Sequence, residues 1–144
     1  MILIDTGPIV AFFDKDDRFH AVCTDILKGI HEPLLTTWPV VTECFFLLDF
    51  SWQVQEDLWT FLLRGGIDIH PLQKEHRTKC RDLMKRYHDL PMDLADATLV
   101  TLADALNVSK LFTLEHRDFS VYRFHQKKLF TLLPSSLVRK SHSA

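Results

Sequence analysis

Apolar residues come in short dense runs along this chain, and their spacing switches between the periods of strands and helices. Ile2-Leu3-Ile4 is a short continuous apolar run at strand length. Gly7-Pro8 follows and opens a helix, since the fixed φ of proline suits a first helical turn. Residues 14–18 form a charged loop, and a second helix is predicted over 19–28, ending at Gly29. Residues 34–37 read as a second strand. Pro39 begins a helix that runs to about residue 50, and Ser51 is placed to N-cap another over 52–63, halted by Gly65-Gly66. Residues 67–69 are a third strand. Within 74–88, Cys80, Leu83, Met84 and Tyr87 follow the i, i+3, i+4, i+7 spacing of an amphipathic helix with a charged outer face. Asp93 caps an almost wholly apolar helix over 94–106, residues 110–113 form a fourth strand and 128–131 a weaker fifth.

Strands alternating with helices predict an α/β fold: a three-layer sandwich with a central, mainly parallel sheet between helices. One domain is expected over residues 1–134, with 135–144 as a flexible C-terminal tail. Such sheets bind ligands beyond the carboxyl ends of their strands. Asp5 closes the first strand, and Glu115 and Asp118 lie just past the fourth. Glu43 and Asp96 fall in early turns of helices that follow strand connections. The topology can therefore gather these acids at one rim, although periodicity alone does not bring them into contact.

With 144 residues, 47% of them hydrophobic, the chain has enough apolar mass for a sizeable core. No apolar run is long enough to span a membrane, and no secretory leader pattern is evident, so a cytoplasmic protein without membrane association is expected. Cys23, Cys44 and Cys80 have neither the number nor the spacing of a disulfide framework or zinc site. The net charge of −2 conceals an asymmetry: residues 1–73 hold 4 Lys and Arg against 11 Asp and Glu, whereas residues 74–144 hold 13 against 8. Basic residues cluster at 74–86 and again at 110–140. An acidic centre beside basic surfaces suits an enzyme acting on a polyanion, though charge runs are also ordinary solvated helix faces.

The acids stand at the edges of core-forming segments, where an uncompensated carboxylate is costly to desolvate. No Lys or Arg adjoins Asp5, Glu43 or Asp96 in sequence. A shared hard cation such as Mg²⁺, or Mn²⁺ in its place, would compensate them. Each acid also has a plainer reading. Asp5 and Asp93 are good N-caps, and Asp96 in a first turn favours the helix dipole. Glu43 resists such a reading, because Val40, Val41, Cys44 and Phe45 surround it and the carboxylate must face a pocket. The eight His residues show no ligand spacing and are assigned to the surface or to a supporting layer. Four glycines in all cannot supply a Walker loop, and no nucleophile elbow is present.

Ile4-Asp5-Thr6-Gly7-Pro8-Ile9-Val10-Ala11, Thr42-Glu43, Leu94-Ala95-Asp96-Ala97-Thr98-Leu99, and the segment from Leu111 to Phe119 occur in order. In these four motifs the chain resembles the PIN domain, and specifically the ribonuclease toxins of VapBC-type toxin–antitoxin pairs, over residues 1 to about 134. The resemblance implies a parallel sheet flanked by helices and a Mg²⁺- or Mn²⁺-dependent endoribonuclease that cuts single-stranded RNA by water attack. It implies that Asp5, Glu43 and Asp96 are the core metal-site acids, with Thr6, Thr113 and Asp93 in support. Many relatives carry Asp two residues after the Thr, where this chain has Glu115, and Asp118 offers a second acid; which of the two is the fourth ligand stays open. An antitoxin partner and a homodimer are also implied. The alternatives are an RNA-processing nuclease without an antitoxin, and a non-catalytic RNA-binding PIN protein. Excess apolar residues in the 44–63 hairpin predict an exposed patch fit for a protein interface.

Overall fold

The computed structural model describes residues 1–125 and 127–135. Its sheet has five strands, all parallel, in the order β3-β2-β1-β4-β5. These are β1 (Ile2–Ile4), β2 (Leu34–Thr36), β3 (Asp68–Ile69), β4 (Lys110–Phe112) and β5 (Thr131–Leu133). The helices are α1 (Thr6–Phe13), α2 (His20–Gly29), α3 (Trp38–Leu47), α4 (Trp52–Leu63), α5 (His76–Arg86), α6 (Leu94–Leu106) and the short α7 (His116–Phe119). The α/β expectation is borne out in class and in strand direction.

β1 is central because nothing in it is polar: Ile2, Leu3 and Ile4 are all buried, as a strand covered on both faces must be. From β1 the chain steps outward through β2 to β3, then returns past β1 to β4 and β5. α6 is the core helix, burying Ala97, Leu99, Val100, Leu102 and Ala103 between its neighbours α3 and α5. Its start matches the expected cap. Asp93 caps one end by accepting the Asp96 amide at 2.8 Å, and Asn107 takes the left-handed conformation (φ 54°) at the other. Ser51 caps α4 in the same manner through the Val54 amide.

The fifth strand is a correction. It occupies Thr131–Leu133 rather than 128–131, pairing Lys110 with Thr131 and Phe112 with Leu133. Lys128 instead closes a small antiparallel bridge with Phe124, around a turn in which His125 has φ 47°. Buried Phe124 and Phe130 pack there with ring centroids 5.0 Å apart. Phe130, which looked like part of a strand, is thus an anchor of a turn, while Leu129 stands exposed. Of the tail expected over 135–144, residues 136–144 lie outside the described residues, as do Arg139 and Lys140 of the basic region. No helix among the described residues is long and apolar enough to cross a membrane.

Candidate active site

The chain's reversal leaves a crevice between the carboxyl ends of β1 and β4, the place where open parallel sheets hold ligands. Asp5 enters it directly from β1. Its amide continues the sheet by donating to Phe112 O at 2.9 Å, and its side chain turns into the start of α1. One carboxylate oxygen accepts the Thr6 amide at 2.8 Å; the other accepts the Thr113 hydroxyl, also at 2.8 Å. Thr113 in turn accepts the Glu115 amide at 2.9 Å. The capping reading of Asp5 is therefore correct, and one carboxylate edge still faces the crevice. Gly7 permits the tight fit, since a Cβ there would meet Leu114 side-chain carbons at 3.2 Å.

Around Asp5, a cavity of about 280 Å³ is lined by Thr6, Glu43, Asp93, Asp96, Glu115 and Asp118, with Pro91 and Leu47 at its edge. Every acid expected from the sequence borders this one space. Thr6 borders it too, and Thr113 is buried beneath Asp5. Glu43 comes from the middle of α3, whose first turn is tied to α6 by a buried Thr37–Thr98 hydroxyl pair at 2.7 Å. Asp96 comes from the first turn of α6. Glu115 precedes α7 and is exposed, whereas Asp118, within α7, is half-buried. His116 is a buried support for this helix: its Nε2 lies 3.1 Å from Leu133 O and so ties α7 to β5.

Sequence reasoning missed Tyr122. It is fully buried, and its hydroxyl donates to Asp96 at 3.2 Å. Its ring lies 5.0 Å from that of Tyr87, whose hydroxyl accepts the Arg123 amide. A lone aromatic after a short helix carries no signal of such a role.

The electrostatics are one-sided. Asp5 is 4% exposed, and burial raises its pKa to about 6 against the lowering effect of its hydrogen bonds to Thr113 and Thr6; Glu43 and Asp93 push it up further. Asp96 is raised to about 8, by burial first and then by Asp5 and Asp93, with Asp118 adding to the effect. Glu43 is raised by burial, by Asp93 and by Glu115. The repulsions divide the two late acids: Asp118 acts on Asp96, and Glu115 on Glu43. No salt bridge among the described residues involves Asp5, Glu43, Asp96, Glu115 or Asp118.

A cation is what this arrangement lacks electrostatically. The Thr6 hydroxyl, buried at the cavity wall, has no partner in hydrogen-bond geometry, although it lies close enough to Glu43 to favour that group's ionised form. Among the described residues no three His, Cys, Asp or Glu side chains are already closed into a metal-ligand cluster. The acids ring the cavity instead of converging on one point. Mg²⁺ keeps several waters and takes few protein carboxylates directly, so an all-oxygen ring of this openness, with a spare hydroxyl for a water, fits such an ion.

Comparison with known proteins gives the following. The PIN domain family model matches residues 2–124. Ribonuclease VapC26 of Mycobacterium tuberculosis (strain ATCC 25618 / H37Rv) is 26% identical over 135 residues, covering 92% of this chain and all of that protein. The crystal structure of Mycobacterium tuberculosis VapC20, a sarcin–ricin loop cleaving toxin, superposes with a TM-score of 0.74 at 13% identity, covering 81% of this chain and 91% of that one. The structural likeness is one of fold.

Proposed function

The chain belongs to the PIN domain family, and on that premise we propose that it is a divalent-metal-dependent endoribonuclease acting on single-stranded RNA, the toxin of a toxin–antitoxin pair. One observation carries the reading. Acids from four separate parts of the chain, the end of β1, α3, the start of α6 and the segment around α7, border one cavity at the sheet's crevice with no salt-bridge partner among the described residues. Ribonuclease VapC26, similar along its whole length, supports the substrate class.

Asp5 and Asp96 are the residues that would hold Mg²⁺ or Mn²⁺ most directly, with Glu43 and one of Asp118 and Glu115 completing the ring. Such an ion, when bound, lowers the pKa of a coordinated water and neutralises charge on the phosphoryl oxygens. The chain's own part is positional. Thr113 and the Thr6 amide hold the Asp5 carboxylate in one orientation, and Tyr122 does the same for Asp96. Glu43, with its raised proton affinity, is suited to accept a proton from the attacking water. Attack by water with departure of the 3′-oxygen leaves a 5′-phosphate and a 3′-hydroxyl.

The exposed apolar side chains of α3 and α4 support a protein partner. Phe46 (71%), Trp52 (71%) and Leu63 (81%) stand in solvent with Phe50 and Trp59 nearby. We assign this surface to an antitoxin segment, with a homodimer contact on the same or a neighbouring face.

The test is cleavage of single-stranded RNA by purified protein with Mg²⁺ or Mn²⁺, stopped by EDTA and lost in Asp5→Asn and Asp96→Asn. Cleavage that survives EDTA and both substitutions would overturn the mechanism.

A further inference from the structure

The acidic cavity is not the only large one among the described residues. A groove of about 740 Å³ runs between α5 and α6. Its floor is apolar, formed by buried Cys80 and half-buried Met84 with Leu94 at one end. Its rim is cationic: Lys74, Arg77 and Arg81. Arg77, Cys80, Arg81 and Met84 share one face of α5 by their i, i+3, i+4, i+7 spacing, so rim and floor belong to a single helical stripe. Arg77 is held at the start of the helix, its Nε donating to Lys74 O at 3.2 Å. Arg81 shares its charge with exposed Asp82 at 3.1 Å, so Lys74 and Arg77 are the stronger cations here. Leu94, 51% exposed, lines the groove one residue after Asp93 and two before Asp96, both of which line the acidic cavity. The groove therefore opens within one helical turn of the proposed metal site.

We propose that this α5–α6 groove binds the single-stranded RNA next to the scissile phosphate: Lys74 and Arg77 hold backbone phosphates, and the Cys80–Met84–Leu94 floor receives a base. The inference rests on the ribonuclease reading. Cations alternating with an apolar floor match a strand whose phosphates and bases alternate in the same way. The groove's place beside the acidic cavity, with Leu94 of the one next to Asp93 of the other, matches a ligand that passes from one to the other. An acidic peptide fits less well, because its carboxylates gain nothing from the floor. The floor has no aromatic ring to stack on, so the site favours fit in the groove over stacking strength.

The experiment measures fluorescence anisotropy of a labelled single-stranded RNA on the cleavage-deficient Asp96→Asn protein with Mg²⁺, over a series of salt concentrations. Adding Lys74→Ala and Arg77→Ala together, both exposed and outside the core, should weaken binding about tenfold at low salt. It should also reduce the slope of log K against log salt by about 1.4, two single-strand phosphate contacts at roughly 0.7 each. Met84→Gln should weaken RNA severalfold while leaving inorganic polyphosphate unaffected. Unchanged affinity and slope in the double variant overturns the proposal. So does binding of polyphosphate or polyglutamate as tight as that of RNA, which would make the groove a general anion or acidic-protein site. The two readings fail separately: wild-type cleavage with Mg²⁺ and an unaltered double variant would remove the groove alone, whereas groove-dependent RNA binding without any cleavage would remove the nuclease alone.

Discussion

Asp96→Asn should make the metal-free protein more stable, and more so as pH rises. Folding lifts the Asp96 carboxyl from its usual value to about 8. The native state therefore binds more protons than the unfolded chain across the interval between those values. Stability must then fall as pH climbs from about 4 through 8, since its slope follows the difference in bound protons. Asp5, raised to about 6, adds a loss of the same sign at the lower end of the window. One group changes stability by at most about 1.4 kcal/mol per pH unit. Water reaches the partly exposed Asp96 carboxylate and screens it, so we expect a net gain for the variant of roughly 1–2 kcal/mol at pH 8, or about 3–8 °C in melting temperature for a chain of this size. Urea melts in EDTA at pH 5 and pH 8 measure this directly, and the gap between variant and wild type should widen toward pH 8. Adding Mg²⁺ should narrow or reverse it, because only wild type gains full binding energy from the ion. A variant that melts well below wild type at both pH values would mean that Asp96 supports the fold, and the cluster would lose its claim to a ligand role.

Tyr122→Phe removes a hydroxyl that orients Asp96; Mn²⁺ affinity read by titration should fall several-fold with little loss of stability, and unchanged affinity would refute the positioning role. Asp118→Asn should lower metal affinity and cleavage more than Glu115→Gln, because Asp118 is half-buried and acts on Asp96 whereas Glu115 is exposed and acts on Glu43; full activity in both variants would place neither in the site. Thr113→Val deletes a buried hydrogen bond to a carboxylate, for about 1.5–3 kcal/mol of stability at pH 8 and less at pH 5, where Asp5 is protonated; equal losses at the two pH values in urea melts would contradict this. Phe46→Glu and Trp59→Glu should abolish self-association in sedimentation, or antitoxin binding in a pull-down, without lowering the melting temperature, and an unaltered complex would assign the patch no partner.

How far the sequence foretold this molecule depended on whether a signal was local. β1, α4 and α6 were legible because each carries its own start signal: an uninterrupted apolar triplet, a Ser51 cap and an Asp93 cap. β5 was misplaced because Phe130 belongs to an aromatic cluster, and apolar content alone does not separate a turn anchor from a strand. α7 has four residues, too few for a helical period to appear. At the site, Asp5, Glu43 and Asp96 were conspicuous as carboxylates in apolar surroundings. Their meeting was not, since it depends on the sheet order. Tyr122 and the α5–α6 groove were invisible for the same reason: one is a distant hydroxyl, the other a space between two helices.

The bond between Asp5 and Thr113 joins positions 108 residues apart. During synthesis β1 leaves the ribosome first, and its flank on the β4 side stays bare until residues 110–112 follow. Until then Asp5 has no hydroxyl to fix it, and α7 with its acid does not exist. On the ribonuclease reading, a chain stopped before residues 113–118 lacks both the Thr113 bond to Asp5 and the acids around α7, and is therefore inactive. The same long-range closure makes folding slow relative to a helical bundle of equal size. On the proposed toxin reading, that delay leaves an antitoxin time to reach the exposed 38–63 side chains before β4 closes the site.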